Sequence, residues 1–70
     1  MFLHPKIAKE ILKTLIDAEN NKKPLTLKEA FQRWGSGSTW EDLVDSGYIQ
    51  RFPEAVTVTL RGLNWYNGSE

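Results

Sequence analysis

"GSGSTWEDLVDSGYI", residues 35–49, decides how the rest of the chain is read. "GSGS" marks a break, because glycine and serine favour turns over helix interiors. Ser38 followed three residues later by Glu41 predicts a capping box, in which each side chain satisfies the other's backbone N–H at a helix start. Trp40, Leu43 and Val44 then share one helical face, and Gly47 supplies the left-handed residue that ends a helix. Thr39, Glu41, Asp42, Asp45 and Ser46 are left facing outward. The stretch predicts a turn, a short helix and a stop running into a strand, and the outward charges of that helix are all acidic.

Upstream, "TLKEAFQRW" opens with Thr26 and carries Glu29 three residues on, a second capping box. Leu27, Ala30, Phe31 and Trp34 fall on one face of the helix that follows. Before it, Ile7, Ala8, Ile11, Leu12, Leu15 and Ile16 recur at three- and four-residue spacing, which predicts a helix from Pro5 to about Asn20 with one buried face. Pro5 suits the first turn, where its missing N–H costs nothing. "NNKKP" ends this helix, because Asn tolerates left-handed geometry and Pro24 biases Lys23 away from the helical region. A short extended piece at Pro24 and Leu25 leads into the second helix.

Downstream, "YIQRF" and "AVTVT" alternate on either side of "PE", the pattern of a two-stranded hairpin. Tyr48, Gln50 and Phe52 are expected on one side, Ile49 and Arg51 on the other. Thr59 caps a final short helix, "LRGLNWYN", and residues 67–70 read as a frayed tail. The fold class is α+β: three helices, a short two-stranded β-hairpin and a short C-terminal helix in a single domain spanning residues 1–70.

This order resembles a winged helix-turn-helix. "LVDSGYI", residues 43–49, resembles the end of the recognition helix and first wing strand of multiple-antibiotic-resistance-type bacterial regulators, whose pattern is Leu-Val-x-x-Gly-aliphatic or aromatic-Ile. "VTLRG", residues 58–62, resembles the Leu-Thr-x-x-Gly step that closes the wing in the same families. With "PLTLKEAF", residues 24–31, these stretches hold 20 of the chain's 70 residues. The resemblance implies a small transcriptional regulator of bacterial, phage or mobile-element type. It carries no base-reading residues across, the third helix is reduced to Thr39–Asp42 before Leu43, and the wing has no long basic tip.

Composition bounds the alternatives. Seventy residues make one domain, and a chain this short buries only about 60% of the surface its unfolded form exposes. There is no cysteine, hence no disulfide framework and no thiolate metal site. No membrane span or signal segment is read from the sequence, and a cytoplasmic location is expected. Nine basic and nine acidic side chains cancel, so no net field draws the protein toward a polyanion. Residues 1–24 hold five Lys against Glu10, Asp17 and Glu19; residues 25–47 hold Lys28 and Arg33 against Glu29, Glu41, Asp42 and Asp45. The half that would read a groove is the acidic one.

Two functions are compatible with these residues. DNA binding would draw on Lys28 and Arg33 for phosphates, on Ser38 and Thr39 at the start of the third helix, and on Gln50 and Arg51 in the hairpin. It implies a homodimer, joined through the first helix or the "LNWY" end, because one small module buries little duplex. The alternative is a protein-interaction module docking through Glu41, Asp42 and Asp45 and an aromatic edge at Trp65 and Tyr66. Trp is common among binding anchors, and so short a last helix is not expected to bury both aromatics. Trp34 and Trp40 are expected to close the core around the turn. An enzyme is not expected: His4 is the single histidine, in a segment read as flexible, and neither a nucleophile–base pair nor a His-based metal site can be assembled. No cofactor or metal is expected.

Overall fold

A computed structural model describes residues 4–68. Helix α1, Pro5–Asn20, starts with Pro in its first turn and His4 as a residue that makes no side-chain cap. Ala8, Ile11, Leu12 and Leu15 form its buried face, while Ile7 stays 45% exposed and Ile16 half-buried at the margins. Its end differs from expectation. The left-handed residue is Lys22, at φ 60°, and the helix stops at Asn20 with Asn21 outside the left-handed region. Lys22 N–H donates to the Glu19 carbonyl and Lys23 N–H to the Ala18 carbonyl, both at 3.0 Å. This paired closure places the left-handed position two residues past the last helical one, and here that position is a lysine.

Helix α2, Leu27–Trp34, begins with the expected capping box. Glu29 N–H donates to Thr26 Oγ1 at 3.2 Å, and Thr26 N–H donates to Glu29 Oε1 at 3.1 Å. Ala30 is buried, with Leu27 and Trp34 half-buried beside it, whereas Phe31 is 57% exposed. Phe31 sits at the edge of the arc that Leu27, Ala30 and Trp34 present, and its ring lies against Gly35 in the following turn.

Helix α3, Ser38–Asp45, is capped by Gly37 in extended conformation and has no side-chain cap hydrogen bond. The expected Ser38–Glu41 capping box is absent because the helix begins one residue early, which puts Ser38 inside the first turn. Gly47, at φ 74°, ends the helix as expected. Gly47 N–H donates to the Val44 carbonyl and Tyr48 N–H to the Leu43 carbonyl, each at 3.1 Å.

Strands β1, Ile49–Phe52, and β2, Ala55–Val58, pair antiparallel with Ile49 opposite Val58 and Phe52 opposite Ala55. Tyr48 and Ile49 are both buried, because Tyr48 belongs to the helix closure and not to the strand's alternation. The extended piece at Leu25 lies beside β2: Val56 N–H donates to the Leu25 carbonyl at 2.8 Å, and Leu27 N–H to the Pro53 carbonyl at 3.3 Å. Helix α4, Leu60–Tyr66, is capped by Thr59 as expected. Of the tail expected to fray, Ser69 and Glu70 lie outside the described residues.

The two stretches that carried the family resemblance meet in space. Thr59 Oγ1 donates to the Gly47 carbonyl at 2.7 Å and accepts from Gly62 N–H at 3.1 Å, while Thr59 N–H donates to the Tyr48 carbonyl at 3.0 Å. The stop of α3, the start of β1 and the start of α4 are thus held by one threonine. Glu19 adds a tie from α1, its Oε2 accepting from Val58 N–H at 3.2 Å.

Around these ties the apolar face of α1 packs against Ala30, Trp40, Leu43, Tyr48, Ile49 and Val56. Ile11, Leu12, Leu15, Leu43 and Val56 are essentially fully buried, each contributing about 1.5–3 kcal/mol by leaving water. The Cα radius of gyration is 10.9 Å, against about 11 Å for a compact chain of this length. The architecture is α+β, four helices and one antiparallel hairpin, and its layout is consistent with that of a small winged helix.

Candidate functional site

The eight residues of α3 span about 12 Å, two turns of helix. Leu43, Trp40 and Val44 turn inward, and Thr39, one turn before Leu43, shares their face. Thr39 is 5% exposed, so the expectation that it faces outward, and could reach DNA, is corrected: helical spacing commits it to the core. The remaining arc holds Ser38, Glu41, Asp42 and Asp45. Ser38, Glu41 and Asp45 are exposed and Asp42 is half-buried. The outward face of α3 is therefore three carboxylates and a serine, and its last turn carries no basic residue.

The other residues considered for DNA contact are all exposed but do not form one surface. Lys28 and Arg33 are five apart on α2, which sends them to different flanks of the helix. Arg33 lines a cavity against the start of α1, and Lys28 does not. Gln50 and Arg51 are adjacent in β1, so they point to opposite faces of the hairpin. Glu29 is held in its ionised form: hydrogen bonds from the Thr26 backbone and then the Thr26 hydroxyl, with Arg33 nearby, bring its carboxyl below the ordinary glutamate range against a small opposing effect of burial.

Trp34 and Trp40 stack with ring centroids 6.1 Å apart, closing the core beside the turn as their spacing suggested. Trp65 and Tyr66 are both half-buried against the core. Trp65 meets the Tyr48 ring at 5.6 Å, and Lys9 Nζ lies 5.7 Å above the Trp65 ring. Tyr66 borders a shallow crevice with Lys9, Glu10 and Lys13. The aromatic end thus seats both rings at the seam with α1. Spacing alone missed this, because the Lys9 stem and Tyr48 ring that receive Trp65 lie far away in sequence.

Large apolar side chains are instead exposed elsewhere: Leu60 at 74%, Phe31 at 57% and Phe52 at 46%. Sequence periodicity had assigned Phe31 to the core. A cavity of about 310 Å³ opens between the start of α1 and the α2–α3 turn, and His4 lies at its rim as the residue preceding α1. Among the described residues no three His, Cys, Asp or Glu side chains come together as a metal site, and no helix is long and apolar enough to cross a membrane.

No family model matches the chain, and no curated protein or solved structure is significantly similar to it.

Proposed function

We propose that this domain is a non-catalytic protein-interaction module that docks a basic partner surface through the outward face of α3. The observation that supports this reading best is the burial of Thr39. With Thr39 turned inward, the exposed arc of α3 offers Glu41, Asp42 and Asp45, and Ser38 is its one uncharged polar group. Glu41 has an ordinary role at the helix start, where the macrodipole favours a carboxylate; Asp45 stands at the other end, where the dipole opposes it. An acidic patch of this kind steers and orients a basic partner, whereas on a duplex it would repel the phosphates. Exposed Phe31 supplies an apolar anchor near the α2–α3 turn.

Affinity capture from cells of the source organism tests this reading, with the wild-type domain, a Glu41→Lys/Asp45→Lys variant and a Lys28→Glu/Arg33→Glu variant as baits. The expected result is a protein retained by the wild type and the α2 variant and lost from the α3 variant. Retention by the α3 variant with loss from the α2 variant would contradict it.

DNA-binding transcriptional regulation is the second reading, supported by the winged-helix-like layout and by one local feature. The N-terminus of α3 has no side-chain cap, and Arg33, Ser36 and Ser38 border the same opening there, a setting suited to a phosphate. On that reading the domain acts as a homodimer, and sedimentation as a strict monomer at high micromolar concentration counts against it.

A further inference from the structure

We propose that the domain pairs with a second copy of itself across the open edge of its hairpin, β1 lying antiparallel to β1 of the other copy so that the two hairpins form one continuous sheet. The phase of the ladder shows which backbone groups are on offer. On the β2 side, Val56 N–H donates to the Leu25 carbonyl and Val58 N–H to Glu19 Oε2. Both donors therefore point away from β1. Their opposite numbers are Arg51 and Ile49, and in an antiparallel ladder the members of such a pair both turn their N–H and C=O groups outward. The outer edge of β2 is thus closed by the chain itself. At the outer edge of β1, among the described residues, nothing from outside the hairpin bonds to Ile49 or Arg51.

Unpaired groups along a strand edge are a template for another strand. The side chains here favour pairing. Gln50, Arg51 and Phe52 are all exposed, and Phe52 is 46% exposed, where an edge guarded against pairing carries a charge or a proline. Ile49 turns its side chain into the core, so only its backbone is engaged.

The strand is also complementary to itself. With Gln50 opposite its own counterpart, Ile49 of each copy faces Arg51 of the other, and these residues exchange hydrogen bonds through the groups that the ladder leaves outward. The two Gln50 amides then meet across the two-fold axis, with a Phe52 ring on the same face to either side. The next register would set Arg51 opposite its own counterpart, and like charges directly opposite are unfavourable. Because β1 has only four residues, the interface is small and the dimer exchanges with monomer. The inference rests on the hairpin alone and needs neither reading of α3.

The test is sedimentation and NMR of the whole domain from micromolar to millimolar concentration, with a sample mixing isotope-labelled and unlabelled copies. The expected result is reversible dimerisation in which the Ile49 and Arg51 amide protons move downfield, together with a contact between the Gln50 α-protons of the two copies. Arg51→Pro removes an N–H that the hairpin does not use, and it should weaken association about tenfold or more, since the two-fold axis counts the lost bond twice. Gln50→Glu leaves the backbone untouched and sets two carboxylates across the axis; it should weaken association as well, and it decides the matter if Arg51→Pro disturbs the fold. A strict monomer at millimolar concentration would overturn the proposal. So would a dimer in which the Ile49 and Arg51 amides do not move, or one that Gln50→Glu leaves at full strength.

Discussion

Lys22 is the non-glycine residue that the described chain holds at positive φ. A Cβ in that region costs about 1–2 kcal/mol, partly offset in a glycine replacement by the greater freedom glycine has when unfolded. Lys22→Gly is therefore expected to stabilise the domain by about 0.5–1 kcal/mol, raising Tm by a few degrees; an unchanged or lower Tm would contradict the assignment of strain to this position. Gly62 shows the opposite case. A Cβ there would run into the Tyr48 carbonyl oxygen, with Val58 Cγ1 2.9 Å away, and the Tyr48 backbone cannot yield without breaking its bond to Thr59. Gly62→Ala should cost about 2 kcal/mol or more, read as a lower urea midpoint with an unchanged slope. The need for glycine at position 47 was legible from its place after an apolar helical run. That at position 62 was not, because the carbonyl it accommodates is brought up by the tertiary fold. Thr39 was misread for a simpler reason: a threonine beside a turn looks like a solvent-facing residue until its one-turn relation to Leu43 is given priority.

The two capping signals of the middle helices illustrate how element boundaries escape local reading. Thr26 and Glu29 cap α2 as their spacing dictates. Ser38 and Glu41 have the same spacing, yet Gly37 takes the capping position, since an extended glycine just before the helix serves as well geometrically and a pattern alone does not rank the two. The α2 capping box also links the fold to pH. Glu29 has a lowered carboxyl pKa in the folded state because Thr26 hydrogen-bonds its ionised form. A depressed folded pKa gives stability that is present above the unfolded glutamate value and lost as pH falls through the folded one. The wild type is thus expected to lose part of its stability over that acid interval. Glu29→Gln should flatten the loss, and equal slopes for the two proteins in acid denaturation would show that the capping carboxylate does not carry it.

For the whole molecule, the order of elements, the hairpin and the one buried face of α1 were legible from apolar periodicity and turn residues. The assembly of the surface was not. Lys28 and Arg33 look like neighbours in sequence but leave α2 on different flanks, and Gln50 and Arg51 divide between the two faces of the hairpin. Trp65 and Tyr66 found a seat against α1 that no local pattern encodes. These separations disperse the cations, while helical geometry gathers Glu41, Asp42 and Asp45 onto one exposed arc of α3. A layout consistent with that of a small winged helix thus presents an acidic face on its third helix. On the proposed function this face meets protein and not phosphate. Titration of the domain with random-sequence duplex DNA across a salt series tests it most directly, alongside a Lys28→Gln/Arg33→Gln variant. No salt-dependent binding is expected of either protein. A wild-type affinity whose logarithm falls with log salt at a slope of about −2 or steeper, flattening by roughly 2 in the variant, would contradict it.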